Sequence, residues 1–257
     1  AGNAGASAIG SGAFALGANA TAVGLNAVAS GDDSAAFGDF SQASGNSSLA
    51  VGGELHHEYI DTETNERVVL SGATSAAGAG GAALGPGAQA AGELGTAVGA
   101  LASASGQWST AAGSRANAEG ASSVAIGDMA KATGDQSTAV GGSRPAGGYF
   151  GHIATTASAE RASAFGSSAQ ATGIQSTALG WNSFATEVSA TSAGESAFAN
   201  AKWSTALGGS SFADGQGATA IGFFANALAE NSVALGAGSV ADRAGTVSVG
   251  AGSNWDG

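Results

Sequence analysis

Cysteine is absent from this 257-residue chain. No disulfide framework is available to it, which suits a secreted or surface chain that must stay unlinked during export. Charge is scarce at 10 %, and 7 Lys and Arg face 19 Asp and Glu, for a net charge of −12. Nucleic acids and anionic membranes both reward Lys and Arg, so neither is expected as a partner. No run of 18 apolar residues and no signal peptide is present. Histidine occurs three times, and no Ser-His-Asp or paired-carboxylate arrangement recurs, so the chain is not expected to be an enzyme. What fills the chain is Gly, Ala, Ser and Thr. Such low complexity can mean disorder, but a strict phase and regularly placed bulky residues argue for structure instead.

That phase is a glycine every seven residues. One run goes from Gly10 through Gly17, Gly24, Gly31, Gly38 and Gly45 to Gly52, and a second from Gly78 to Gly141. A third goes from Gly166 to Gly257, with Glu187, Ala201, Ala229 and Arg243 at expected glycine positions. Alternate sevenths differ, since one ends as Ala22-Val23-Gly24 or Ala125-Ile126-Gly127 and the other as Ala43-Ser44-Gly45 or Ala132-Thr133-Gly134. The true repeat is therefore fourteen residues, Ser-Thr-Ala-bulky-Gly-x-x-Ala-x-Ala-x-Gly-x-x. It has room for two strands of about five residues, each closed by a turn at glycine.

Helix is excluded, because each glycine in a helix interior costs about 1 kcal/mol against alanine. Collagen is excluded because its glycine comes every third residue. Alternation at period two in Thr-Ala-Val-Gly fits a strand with two distinct faces. The expected fold is all-β, a solenoid of 14-residue two-strand coils. At roughly 4.8 Å per coil, about fifteen coils would make a thin rod on the order of 70 Å long.

One bulky residue recurs per coil: Ile9, Val23, Phe37 and Val51, then Leu84, Val98, Ile126 and Val140, then Phe165, Leu179, Leu207, Ile221, Leu235 and Val249. A long apolar stripe on a thin rod marks either an interface between chains or the chain's own narrow core. The first alternative makes the chain an obligate oligomer. Thr stands two residues earlier in many coils (Thr21, Thr96, Thr110, Thr138, Thr177, Thr191, Thr205 and Thr219), a ladder that admits an ice-binding alternative. Ice binding needs two Thr columns, however, and β-branched stacking explains a single one.

The phase slips twice, after Val51-Gly52-Gly53 and after Val140-Gly141-Gly142. Gly52 and Gly85 are 33 residues apart where one coil takes 14, which leaves 19 extra; Gly141 and Gly166 are 25 apart, which leaves 11. The organisation expected is repeats over 1–52, a hairpin-like insert over 53–71, repeats over 72–141, a second insert over 142–157 and repeats over 158–257. Both Tyr and all three His lie in the inserts. Insertions in solenoids map to one face and often carry function. Candidate binding residues are therefore His56, His57, Tyr59, Arg144, Tyr149 and Phe150, with Trp181 at a turn. Covering the rod surface or bridging chains is the plainer role for the same inserts. Trp108 and Trp203 hold equivalent positions before Ser-Thr-Ala and are assigned to packing between chains.

Metal and cofactor sites are not expected. His56 and His57 are adjacent on a strand and point to opposite faces, and no third ligand has suitable spacing. The stretch from Gly78 to Gly85 lacks the Lys and the helix of a phosphate loop. Calcium-binding nonapeptides need a recurring Asp after the glycines, and Asp32, Asp33 and Asp135 are turn formers instead.

Ser123-Val124-Ala125-Ile126-Gly127 and its relatives resemble the head repeat of trimeric autotransporter adhesins, the YadA-like proteins of Gram-negative bacteria. The interruptions after Val-Gly-Gly resemble the head inserts of that family. The resemblance covers essentially the whole chain. It implies a left-handed parallel β-roll, three chains forming a homotrimer, and display from the outer membrane. The ladder residues would then be trimer or core positions. The partners implied are the chain itself and host extracellular-matrix proteins or host cell surfaces, with adhesion or self-association as the function. The alternatives are an ice-binding solenoid and a structural spacer without ligand. No neck, stalk heptads or C-terminal barrel is seen, so any membrane link would run through an anchor outside this sequence. The chain begins and ends inside the repeat, which makes it an expected segment of something longer.

Overall fold

Thr-Ala-bulky sends its Ala to one side of a strand and its other two residues to the opposite side. The structure, a computed structural model describing residues 2–60, 67–145 and 152–250, uses this alternation in every coil. Each coil has one strand of three residues, such as Thr96–Val98, and one of two, such as Ser103–Ala104. Both are shorter than the five residues expected from the spacing, because the turns between them take up the rest of each seventh. All regular elements among the described residues are strands.

Two compact units are formed, Ala1–Ala130 with Pro145–His152, and Lys131–Arg144 with Ile153–Gly257. In the first, three-residue strands from Ser7–Ile9 to Val124–Ile126 stack in chain order as a parallel sheet, and two-residue strands from Phe14–Ala15 to Asn117–Ala118 form another. Partners in register are fourteen residues apart, as in Thr96 with Thr110 and Ala97 with Ala111. The second unit repeats the arrangement from Thr138–Val140 to Val247–Val249 and from Lys131–Ala132 to Val240–Ala241. Register survives each insert: Val51 pairs with Leu84, and Val140 with Phe165.

The interior is almost entirely alanine and serine. Ala22, Ala36, Ala97 and Ala125 of the longer strands and Ala29, Ala43, Ala104 and Ala118 of the shorter ones are wholly buried. Buried Ser34 and Ser204 donate to the carbonyls of Gly31 and Ala201, at 2.6 and 2.7 Å, which satisfies hydroxyls held among methyl groups. Ser192 stands in an alanine column and is answered by Ser183, oxygen to oxygen 2.6 Å. The bulky ladder lies outside, with Leu179 and Leu207 about half exposed at 51 % and 48 %. This removes the alternative of a bulky core: among the described residues no fully buried side chain is larger than threonine.

The two glycine columns differ. Glycines that follow the longer strand, such as Gly99, Gly113 and Gly127, have φ of +129°, +136° and +123°, a region that side chains avoid. Every described position of that column is glycine. The other column has ordinary φ and admits Ala159, Glu187, Ala201 and Ala229, and Arg243 in the last described coil. There the glycine N–H reaches a carbonyl of the next coil, as from Gly106 to Ala118 at 3.2 Å, whereas Ala159, Glu187, Ala201 and Ala229 make no such bond.

The left-handed turn residue is not the repeat glycine but the second residue after it. Asn19, Asp33, Ser47, Leu94, Trp108 and Ser122 hold φ between 53° and 57°. Asn, Asp and Ser suit this region, because a short polar side chain stabilises it locally. Side chains also bond from turn to turn: Asn19 donates to Asp33 at 3.0 Å, and the Ala18 N–H to Asp32 at 2.8 Å.

Candidate functional site

The chain presents three kinds of outward surface. On the outer face of the longer strands, Ile9 aligns with Val23, Leu84 with Val98, Leu207 with Ile221, and Leu235 with Val249. Ile9, Val51, Val98, Ile126, Leu179, Leu207, Leu235 and Val249 are exposed, and Val23, Leu84, Val140 and Ile221 are partly so. Ala112 and Ala193 are the small rungs of this column. The Thr column runs beside it on the same face, partly covered except at the exposed Thr191. On the outer face of the shorter strands, Phe184 and Phe198 stack at 4.9 Å with rings 3° from parallel, and Phe212 follows at 6.0 Å. Sequence reading missed these three, although their spacing of fourteen was the available signal.

The first insert contributes the third surface, a hairpin of Leu55–Ile60 and Arg67–Gly72. It is antiparallel, with His56 opposite Ser71, His57 opposite Leu70 and Glu58 opposite Val69. His56, Glu58 and Arg67 share one face, where Glu58 bonds both Arg67 and, at 3.2 Å, the His56 Nε2. His57 belongs to the other face, whose Leu55, Val68 and Leu70 are half-buried. Tyr59 lies in the same strand. Leu101, at a left-handed turn, stands over Gly72 and Gly87: a Cβ at Gly87 would come within 2.7 Å of its Cδ2. It thereby holds the root of the hairpin against the next coil. No group of three or more His, Cys, Asp or Glu among the described residues has a metal-binding arrangement.

Both inserts return to the repeat through the same device, which sequence reading also missed. Thr74 and Thr155 are wholly buried where ordinary coils place Ala or Ser. The Thr74 hydroxyl lies 3.0 Å from the Gly53 carbonyl and 2.8 Å from that of Gly85, sharing its proton between them. Thr155 has the same geometry, 3.1 Å to Gly142 and 2.7 Å to Gly166. Each threonine thus ties the exit of its insert to the following coil. Gly-Gly before the insert and Thr-x-Ala after it are the signature.

Of the remaining candidates, Arg144 sits in the short strand Arg144–Pro145, which pairs with His152–Ile153. Tyr149 and Phe150 lie outside the described residues. Trp181 follows Gly180 on a turn of the second unit and is 46 % exposed. Trp108 and Trp203 are turn residues at positive φ, 54 % and 58 % exposed.

Comparison with known proteins gives one family. The YadA head domain repeat matches residues 1–27, 29–54, 104–128, 118–143, 157–183, 199–225, 213–239 and 227–253. Among solved structures, the collagen-binding domain of the Yersinia adhesin YadA aligns over 98 % of this chain and 84 % of its own, at 18 % identity and a TM-score of 0.21. No curated protein matches. The family repeat takes up well over half of the chain, and the fold is a β-roll of stacked fourteen-residue coils: the chain belongs to the YadA-like heads of trimeric autotransporter adhesins.

Proposed function

We propose that the chain is the adhesive head of such a protein, displayed from the outer membrane of a Gram-negative bacterium as a homotrimer. The observation that carries this reading is the exposed ladder on the outer face of the longer strands. A core of alanine and serine buries little apolar area, while each Val, Leu or Ile of the ladder would contribute about 1.5–3 kcal/mol if buried by a neighbouring chain. Three copies would then present each surface feature three times along a repeating roll, and linked weak contacts can exceed single-site affinity by about 10²–10⁴. The ligand class that fits is host matrix or cell surface, with the hairpin residues His56, His57 and Tyr59, the second-insert residues Arg144, Tyr149 and Phe150, and Trp181 as proposed contacts.

Light scattering after size exclusion tests the assembly. The expected mass is three times the 23.9 kDa of one chain. Aspartate at Val98, Ile126 and Leu207 together should dissociate it, and a variant that stays trimeric overturns the role of the ladder. Beads coated with the chain should adhere to immobilised collagen or other matrix proteins. Thermal hysteresis without adhesion would favour the ice-binding alternative, though the Thr column runs beside an apolar column rather than a second Thr column.

A further inference from the structure

Leu94 and Trp108 occupy successive left-handed turns of the first unit, with φ of 53° and 57°. An L-residue in this region costs about 1–2 kcal/mol, and neither side chain has the short polar group that offsets the cost in Asn or Asp. Neither recovers that cost by burial, since they are 55 % and 54 % exposed. Elsewhere in the same column of this unit the residues are Gly5, Asn19, Asp33, Ser47, Gly80 and Ser122. Side chains here lean over the preceding coil: a Cβ on Gly80 would meet the Leu94 Cδ2 at 2.5 Å. The turn is rigid, because the Trp108 N–H donates to Glu93 at 2.8 Å and the Ser122 N–H to Gln107 at 2.7 Å. One residue before Trp108, the Gln107 side-chain amide donates to the Glu93 carboxylate at 2.7 Å, joining two coils.

We propose that Trp108, with Glu93 and Gln107, forms a binding platform for an uncharged or amine-bearing oligosaccharide. A pyranose ring offers a C–H face that packs on an indole and hydroxyls that need fixed acceptors within a few ångströms. The coupled carboxylate and amide supply those acceptors already oriented, which limits the ordering cost of binding. A protein hot spot asks for surrounding apolar contacts that exclude water. Around Trp108, Leu94 is the one large apolar neighbour along the turn, and Glu93, Gln107 and Ser122 are polar. Glu93 and the net charge of −12 select against sialylated or sulfated glycans.

Saturation-transfer NMR and tryptophan fluorescence on the full chain would use chitotetraose, cellotetraose and maltotetraose, with a sialylated tetrasaccharide as the anionic control. At least one neutral glycan is expected to bind with Kd on the order of 1 mM, and the sialylated one at least about tenfold more weakly. Trp108→Asn should abolish binding without harming the fold, because Asn suits the left-handed turn and should raise Tm slightly. Trp108→Phe should keep part of the affinity, Glu93→Gln should weaken it several-fold, and Trp203→Phe should leave it unchanged. No binding by any neutral glycan, or binding that survives Trp108→Asn, overturns the proposal. So does loss of bead adhesion in Trp108→Asn without a glycan response, which would mark a protein contact. Glycan binding by a chain that adheres to no surface would leave the platform standing and remove the adhesin reading.

Discussion

Gly113→Ala is the sharpest test of the stacking geometry. Gly113 sits at φ +136°, and a Cβ there would lie 2.5 Å from the Gly127 carbonyl oxygen of the next coil. Ordinary contact begins near 3.4 Å, so the two coils must part by about 0.9 Å. Parting them strains two bonds across the same step, from the Gly127 N–H to Ala112 at 2.8 Å and from Met129 to Ser114 at 2.9 Å. Each contributes about 1 kcal/mol, and the backbone conformation adds about 1–3 kcal/mol. The loss expected is therefore about 3–5 kcal/mol, most of it felt in neighbouring coils because each coil touches only its neighbours. The control is Gly106→Ala, in the column where alanine already occurs. A Cβ there would lie 2.1 Å from the Gly120 carbonyl oxygen, so this turn must shift as well, but at ordinary φ the backbone contribution of about 1–3 kcal/mol is absent and the loss should be smaller by that amount. Denaturant melts give the totals, and hydrogen exchange at residues 110–129 locates the damage. Equal losses in the two variants would refute the distinction between the columns.

Thr74→Val and Thr155→Val keep shape but remove the hydroxyl, and each should cost about 1–2 kcal/mol by leaving buried carbonyls less satisfied. Hydrogen exchange should quicken at the root of the matching insert, and unchanged exchange would count against the clasp. Replacing residues 54–73 by one Phe reproduces the ordinary connection Gly38-Asp39-Phe40-Ser41, and the shortened chain should keep its β circular dichroism and its oligomeric mass. Loss of the fold would show that the hairpin is a structural part of the roll. If the hairpin binds ligand, adhesion of the same variant falls; if it only covers the surface, adhesion is kept.

Much of this architecture was legible in the amino-acid order. A fourteen-residue repeat with glycine at fixed phase excludes helix, demands stacked coils and dictates register, because slipping by one residue would put Thr and Val where only Ala fits. The hairpin was visible as two strand-like runs, 54–61 and 67–70, flanking a polar tip. Which face of the coil was inside was not legible, since the period-two pattern labels two faces without naming the inner one. Only the folded coils decided it, by turning alanine inward and leaving the bulky residue outside. The sequence showed that all its exceptions, Glu187, Ala201, Ala229 and Arg243, fall in one glycine column but not why, because the reason lies in φ, and φ follows from how each turn meets the next coil. Thr74 and Thr155 look like two threonines among many until the fold brings Gly53 and Gly85, or Gly142 and Gly166, around each hydroxyl. The sequence determined the repeat, its register and the family; the tertiary structure decided what is buried, what is left outside for a partner, and how the inserts are fastened. Those depend on distances between coils that no single coil encodes.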